Sequence, residues 1–189
     1  MPISAEAQLA KNRRIAQTRQ ATANRRQFQA AKTYQLKIVA NKLSVKQEYA
    51  LDQAFLQAKW FINDVIAHLE DGKLSDYVSS TKSVNVRLGS NSDEYEERKL
   101  THLAAQVKQA IVVRISNNLS ALRALKGNGR RVGGLRYVKE VDSLPLNQYG
   151  NTHRIVGNNT VHIVKIGHVR VRGLQQIPQD AEIATATLN

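Results

Sequence analysis

The residues of this chain that can do chemistry are mostly basic, and the clearest group lies in Val161–Gly173. After Gly167, Val169 and Val171 alternate with Arg170 and Arg172. A period of two places the valines on one face of a strand and the arginines on the other. With a turn at Gly167, the segment predicts a hairpin with an apolar underside and a cationic top. Lys165 is one of the cations of the top. Such a surface is suited to binding anions.

The overall charge indicates the same kind of partner. The chain has 189 residues and a net charge of +13, which favours an acidic polymer or an anionic membrane. Its basic residues lie in predicted strands and loops as well as helices, which favours nucleic acid. No run approaches the ~20 apolar residues of a membrane span, and the N-terminus has no apolar leader. We therefore expect a cytoplasmic protein with no membrane partner.

Residues typical of catalytic or metal sites are missing or wrongly spaced. There are no cysteines, so disulfides and thiolate zinc sites are excluded. His162 and His168 could meet across the hairpin, but the five histidines have no spacing typical of a metal site. The acids of residues 93–97 are interpreted as the first turn of a helix capped by Ser92, where the helix dipole favours negative charge. We expect no enzymatic activity and no cofactor.

Residues 1–32 form a basic N-terminal arm that includes Arg13, Arg14, Arg25 and Arg26. Its alanine and glutamine content favours helix, but it has too few apolar residues for a core stripe. Two interpretations remain open. The arm is either a solvated, disordered tail or a segment that becomes a helix against phosphates.

Two long helices are predicted after a strand over residues 33–39. Ser44 and Gln47 form a capping-box pattern at the start of the first helix, and Gly72 is a natural stop. Within it, Trp60 and Phe61 are interpreted as core anchors. The second helix is expected to run from Ser92 to Gly127, with a buried stripe formed by Leu100, Leu103, Val107, Ile111, Ile115, Leu119 and Leu122.

A basic loop is predicted over Gly127–Val141. Glycines allow the backbone to approach phosphates closely, and Tyr137 could stack on a base. No Gly-Lys-Ser/Thr follows, so this is not a nucleotide-binding P-loop. The cations of the loop are Arg130, Arg131, Arg136 and Lys139.

The predicted element order is a strand, two long helices and then several strands, which indicates an α+β fold. The strands at the two ends must meet across the helices. The predicted domains are therefore the arm at 1–32, a discontinuous small β-barrel or sheet made of 33–43 and 127–189, and an inserted helical domain at 44–126.

Several segments, in this order, resemble the N-terminal half of TnpB (OrfB-type) transposon-encoded RNA-guided nucleases, which are related to type V CRISPR effectors. Tyr34–Asn63 resembles the opening strand and helix of that family, and Asn117–Lys126 the end of its second long helix. Arg130–Tyr137 resembles a basic Gly-Phe-Pro-Arg-Phe segment. Ile163–Gly173 resembles a Leu-Pro-Lys-Leu-Gly-Trp-Val-Lys signature, and the strand within Ala181–Leu188 follows.

This chain departs from the family pattern at several positions. Gly134 and Leu135 replace Phe-Pro, Val164 replaces a proline and His168 replaces a tryptophan. The resemblance covers about residues 33–189, and the arm extends beyond the usual family start.

The resemblance implies a wedge-type β-barrel interrupted by a helical recognition domain, with guide RNA and target DNA as partners. In such systems base pairing selects the sequence while the protein binds backbone shape. The resemblance also implies a RuvC-like nuclease domain after Asn189 or on a separate chain. We therefore expect no nuclease activity from this polypeptide alone. The expected nucleic-acid contacts are Lys59, Asn63, Arg130, Arg131, Arg136, Tyr137, Lys139, Lys165, Arg170 and Arg172, together with the arm arginines.

An alternative hypothesis is a nuclease-free regulatory or structural subunit. It would dock a partner protein or repress by occupying DNA. Docking a protein predicts an exposed apolar patch and weak salt dependence, whereas nucleic-acid binding predicts affinity that falls steeply with salt.

Overall fold

The computed structural model describes residues 5–69, 81–89 and 92–189, and the chain divides into two compact units, Met1–Gln35 and Leu36–Asn189. Helices and antiparallel sheets occur together in the described residues, which confirms the predicted α+β class. In chain order the elements are α1 (Ala5–Gln27), β1 (Lys37–Ile38), α2 (Val45–Ala67), β2 (Ser83–Arg87), β3 (Tyr95–Lys99), α3 (Ala105–Gly127), β4 (Leu144–Leu146), β5 (His153–Gly157), β6 (Thr160–Ile163), β7 (Gly167–Arg172) and β8 (Ala186–Leu188).

The first unit contains α1, so most of the arm is helical, while its predicted ordering against phosphates stays a prediction. No glycine or proline interrupts Ala5–Gln27, and alanine, glutamine and arginine all have high helix propensity. Leu9 and Ile15 are both exposed, so backbone propensity rather than burial of an apolar stripe favours the helix. The Thr18 and Thr22 hydroxyls donate to carbonyls one turn earlier.

Helix α2 begins as the sequence predicts. The Ser44 side chain accepts from the Gln47 backbone, and the Gln47 side chain accepts from the Ser44 backbone, which completes the capping box. The helix ends at Ala67, and Gly72, the predicted stop, lies outside the described residues. Its buried apolar face is formed by Ala50, Ala54, Ala58, Phe61, Ile62 and Val65. Full burial of Phe61 confirms its role as a core anchor.

The helix predicted to start at Ser92 is wrong at its N-terminal end. Tyr95–Lys99 instead forms strand β3, antiparallel to β2, with Val84 opposite Arg98 and Val86 opposite Glu96. Val84 is buried in the core and the Arg98 guanidinium lies 5.7 Å from the centre of the Trp60 ring. Tyr95 is the only large apolar residue between positions 93 and 99 and is exposed, so a helix there would have no apolar face to bury, whereas the ribbon buries Val84.

Helix α3 therefore begins at Ala105, after a turn that contains the buried Leu100 and Leu103. Its predicted stripe is present further on, where Val107, Ile111 and Ile115 are buried. The helix ends at Gly127, and Gly129 follows in a left-handed conformation with a φ of 76°. The predicted end of this helix is confirmed.

The largest sheet has the strand order β1-β7-β6-β5, and all its pairings are antiparallel. The pairing of β1 with β7 confirms that the first strand meets the C-terminal strands across the helices. The first strand is shorter than predicted, since only Lys37 and Ile38 form the ladder, extended by the Val39 N–H bond to the Arg170 carbonyl. Two smaller sheets pair β2 with β3 and β4 with β8.

Polar side chains of α2 join it to other segments of the second unit. Gln47 donates to the His168 carbonyl of β7 over 2.7 Å, and the Gln57 side chain accepts from the His102 backbone over 2.8 Å. Asn63 bonds the backbone of Val138. Helix α2 therefore contacts the sheet, the turn before α3 and the loop after α3 through specific hydrogen bonds. No helix in the described ranges is long and apolar enough to cross a membrane.

Candidate nucleic-acid interface

Strand β7 alternates as the sequence predicts. Val169 and Val171 are 1% and 4% exposed, whereas Arg170 and Arg172 are exposed on the opposite side. The hairpin of β6 and β7 pairs Val161 with Val169, and both belong to the core. The predicted apolar underside and cationic top of the hairpin are therefore confirmed.

Cross-strand neighbours extend the cationic top over all four strands. Residues directly opposite each other in an antiparallel pair point to the same face. Arg172 lies opposite Lys37, His168 opposite His162, and His162 opposite Arg154. We call this surface the sheet face and define it as Lys37, Arg154, His162, His168, Arg170 and Arg172. The four strands contain no aspartate or glutamate.

Lys37, Arg154 and the two histidines were not predicted from the sequence as members of this surface. The signal was present in the turns, since Gly157-Asn158-Asn159 and Gly167 set the registers of β5, β6 and β7. Once the two hairpins are aligned on their turns, Arg154, His162 and His168 fall into one row across the sheet.

Lys165 lies in the turn between β6 and β7, at the end of the sheet face. It is exposed and has a φ of 67°, a left-handed conformation that costs a non-glycine residue some strain. The buried Lys108 of α3 is close enough for its charge to interact with that of Lys165, and its Nζ donates a hydrogen bond to the Thr81 carbonyl. Burial and the positive charge of Lys165 lower the pKa of Lys108. The two ammonium groups thus add to the positive potential at this end of the sheet.

The second basic surface is the loop that follows α3. We call Arg130–Lys139 the basic loop. Arg130, Arg131, Arg136, Tyr137 and Lys139 are all exposed. Tyr137 is 64% exposed, which leaves its ring free to stack on a base.

The basic loop has no regular secondary structure, so its backbone needs other partners. Val138 supplies one point of attachment, since its N–H donates to Asn63 Oδ1 over 2.7 Å and its carbonyl accepts from Asn63 Nδ2 over 3.0 Å. Leu135 and Val138 pack against the core. The side chains between these anchors extend outward, which leaves the cations on the surface.

The interpretation of Asn63 as a nucleic-acid contact needs correction. Its side chain is half-buried and both ends of its amide bond the backbone of Val138, so it positions the basic loop. Lys59, one turn earlier on α2, is also half-buried. The signal for Asn63 was its place in a buried run, because a polar side chain between Phe61, Ile62 and Val65 must satisfy its hydrogen bonds within the protein.

The two surfaces are attached to opposite ends of α2. Gln47, at the start of the helix, bonds β7 of the sheet, and Asn63, near its end, bonds the basic loop. Sixteen residues of helix separate these contacts, which at 1.5 Å per residue corresponds to ~24 Å. A single rigid element therefore sets the distance between the points at which the sheet and the loop are held.

In the first unit, Arg13 and Arg14 of α1 are exposed, as are Lys11 and Arg19. Glu6 is the one acid within Ala5–Gln27. The side chains of Arg25 and Arg26 lie outside those that the structure describes.

The acids of residues 93–97, predicted in the first turn of the second helix, are instead in strand β3 and in the residues just before it. There Arg87 pairs with Asp93 over 2.9 Å and Arg98 with Glu96 over 2.5 Å. The Ser83 hydroxyl donates to Glu97 over 2.5 Å. Among the described side chains, no three His, Asp or Glu groups come together in a way that would hold a metal ion.

Two histidines of β5 and β6 have lowered pKa values for different reasons. Burial alone lowers the pKa of His153, whose ring packs edge-on against Tyr149 with centroids 5.4 Å apart. Burial, together with the positive charges of His168 and Arg154, lowers the pKa of His162. The environment of His162 is thus set by the sheet face.

Comparison of the chain with protein-family models gives no match, and comparison with curated proteins finds no significant similarity.

Proposed function

We propose that this protein is a nucleic-acid-binding module that holds RNA, and RNA paired with DNA, through contacts to the phosphate backbone. The observation that carries the proposal is the sheet face, where four strands present six cationic or protonatable side chains and no carboxylate. Phosphate contacts of this kind supply most of the affinity of non-specific nucleic-acid binding.

The basic loop supports the same function by a second kind of contact. It combines exposed Arg130, Arg131, Arg136 and Lys139 with the exposed ring of Tyr137. A cationic segment with an aromatic side chain binds unpaired nucleotides through phosphate contacts and base stacking. The sheet face has no Phe, Tyr or Trp, so its contribution is to the backbone.

Within this proposal, the resemblance to TnpB-type proteins suggests which domains the elements form and which nucleic acids they bind. The sheet would correspond to the wedge-type β-barrel, with α2, the β2–β3 ribbon and α3 as the inserted recognition domain. Guide RNA and target DNA would be the ligands, and the protein would act without cleaving nucleic acid itself. Cleavage of RNA or DNA by the pure protein with Mg²⁺ would overturn that last point.

The first test is to purify the full chain at moderate salt and sequence the RNA that accompanies it. One discrete structured RNA, lost in the Arg130→Ala/Arg131→Ala variant, is the expected result. Heterogeneous RNA that washes off with salt would argue against guide binding. Absence of RNA, together with salt-insensitive capture of a protein, would favour the alternative of a partner-docking subunit.

A salt titration separates phosphate contacts from other kinds of binding. We expect log K for a 20-base-pair RNA–DNA hybrid to fall linearly with log salt, with a slope of roughly −0.9 for each phosphate neutralised. The control variant is Lys82→Gln/Lys99→Gln, which removes two exposed charges from residues on or beside the β2–β3 ribbon. It should leave the slope nearly unchanged, whereas Arg170→Gln/Arg172→Gln should reduce it.

A further inference from the structure

Two histidines form a cross-strand pair in the middle of the sheet face. His162 of β6 lies opposite His168 of β7, and their ring centroids are 5.0 Å apart in an edge-to-face arrangement. His168 is exposed and His162 is half-buried. Arg154 of β5 lies on the other side of His162, so three nitrogen-bearing side chains stand in a row across three strands.

On the strands of the sheet, the charged groups around this row are positive. Arg154 approaches from β5, and Arg170 follows His168 on the same face of β7. From α2, the neutral amide of Gln47 bonds the His168 carbonyl, and on either side of it Lys46 and Glu48 are exposed and of opposite charge. The electrostatic effects on His162 come from His168 and Arg154, and both oppose its protonation.

The imidazole of His162 also lacks an acceptor for a second proton. Its Nδ1 is buried and has no hydrogen-bond partner in the described structure. A doubly protonated ring would need an acceptor at each nitrogen, because both are donors in the imidazolium form. Burial and the neighbouring positive groups therefore lower the pKa of His162 in the free protein, although it lies in the middle of a row of nitrogen-bearing side chains.

We propose that Arg154, His162 and His168 form a binding site for a nucleic-acid phosphate, and that this site takes up protons when the phosphate binds. The site deepens the proposed function and rests on it. Arg154 supplies a permanent charge and a planar set of donors. His162 gains a proton when the phosphate binds, because the anion offsets the burial and the repulsion that lower its pKa in the free protein.

The linkage between phosphate binding and proton binding determines how the affinity for nucleic acid changes with pH. A ligand that raises the pKa of a group binds more tightly at pH values where that group is protonated. Each histidine whose pKa rises by one unit in the complex adds about tenfold to the affinity below its free pKa. We expect affinity to rise by up to about tenfold between pH 7.5 and pH 5.5, which corresponds to a rise of one unit in the pKa of His162 on binding.

The experiment measures Kd for a fluorescent 20-base-pair RNA–DNA hybrid by anisotropy from pH 5.5 to 8.0, at constant ionic strength and with EDTA present. The full chain is compared with His162→Gln/His168→Gln and with a His68→Gln control. His68 is a largely exposed histidine at the C-terminal end of α2, outside the strands of the sheet face. The double variant should bind with little pH dependence, while the control should behave as the wild type.

A second measurement uses only the wild type and so does not depend on the variants folding. Calorimetric titration with the same hybrid at pH 6.5, in two buffers of different ionisation enthalpy, reports the number of protons taken up. An uptake of up to about one proton is expected, since the imidazole of His162 can bind one proton as its lowered pKa rises in the complex.

The outcomes separate this inference from the proposed function. Binding that has no pH dependence and no proton uptake would overturn the histidine site and leave nucleic-acid binding intact. Binding whose pH dependence persists in the double variant would also overturn it. Failure to bind the hybrid at any pH, with no RNA in the purified protein, would overturn both proposals together.

Discussion

The sheet face and the basic loop present cations to solvent, but the backbone beneath them differs. Under the sheet face, β7 pairs with β1 on one side and with β6 on the other, and each exposed Arg alternates with a buried Val. The basic loop has no ladder. Its described backbone is held at Val138 by Asn63, with Leu135 and Val138 packed on the core.

The difference affects what each surface can recognise. Side chains two residues apart on β7 keep a fixed spacing of ~6.6–6.8 Å along the strand, so Arg170 and Arg172 match a regular array of charges. The basic loop has no ladder that would give its cations a regular spacing, which suits an irregular ligand. It is followed at once by Glu140 and Asp142, whereas the sheet strands contain no acid. We expect the sheet to bind regular backbone and the loop to bind irregular or unpaired nucleotides.

The largest expected effect comes from removing the contact that holds the basic loop. Asn63→Ala leaves the N–H and carbonyl of Val138 without their partner. Leaving a buried polar group unsatisfied costs about 1–3 kcal/mol. We expect urea unfolding to show a stability loss in this range and hydrogen exchange at Val138 to accelerate.

The matched control for this prediction is Asn63→Asp, which keeps the acceptor for the Val138 N–H and loses the donor to its carbonyl. It should destabilise less than Asn63→Ala at pH 7. Equal stability of the wild type and both variants would show that the loop is held mainly by Leu135 and Val138 packing.

The second prediction compares the two surfaces directly by removing two charges from each. Arg170→Gln/Arg172→Gln should weaken binding of the RNA–DNA hybrid by about tenfold, or ~1.4 kcal/mol, and reduce the salt slope by roughly 1.8. Arg130→Gln/Arg131→Gln should weaken binding of the fully paired hybrid less. Adding a single-stranded overhang to the hybrid should enlarge the loss in the loop variant alone.

Both pairs of substitutions concern exposed side chains, so the free energy of unfolding should change by no more than about 0.5 kcal/mol. If the loop variant and the sheet variant lose the same affinity for both ligands, the division between regular and irregular nucleic acid is wrong.

The sheet was more predictable from sequence than the loop for a physical reason. A strand shows its two faces in a period of two, so β7 and its turn at Gly167 were visible in residues 161–173. The capping box of Ser44 and Gln47 was also predictable, because it is formed by two residues that are three positions apart in the sequence. Contacts between distant residues leave no such pattern, and Asn63 bonds Val138 across 75 positions of sequence.

The error at β3 shows how long-range packing can override local preference. Residues 93–99 are rich in Glu, Lys and Arg, which favour helix by propensity. The segment is nevertheless a strand, because it completes a ribbon whose Val84 is buried and whose Asn85 N–H bonds the Asp64 side chain of α2. Neither contact can be inferred from the composition of the segment.

The third prediction concerns Lys108, which is buried although it is a cation. Lys108→Met should stabilise the protein at pH 7 by about 1 kcal/mol, because the gain from replacing a buried charge with an apolar chain of similar length exceeds the loss of its hydrogen bond to the carbonyl of half-buried Thr81. For a chain of this size that corresponds to a rise in Tm of about 2–4 °C.

The pH dependence of the stability difference between the wild type and Lys108→Met serves as the control for this prediction. The pKa of Lys108 in the folded protein is lowered from 10.5, so the unfolded chain binds more protons between the two values. Wild-type stability should therefore rise, relative to that of the variant, as pH increases through the folded pKa towards 10.5. An advantage for Lys108→Met that is constant from pH 7 to 10.5 would mean that it comes from packing alone.

The smallest expected effect comes from the contact that holds the sheet to α2. Gln47→Ala removes one half of the capping box and the hydrogen bond to the His168 carbonyl. A helix cap is worth about 0.5–2 kcal/mol, and the capping Ser44 hydroxyl is retained, so we expect a loss near the lower end, about 0.5–1 kcal/mol. Because β7 is also held by two ladders, hydrogen exchange of Val169 and Val171 should stay slow, unlike that of Val138 in Asn63→Ala. Ser44→Ala removes the other half of the box without touching β7, so faster exchange at Val169 in Gln47→Ala alone would mean that α2, and not the ladders, keeps the sheet face in order.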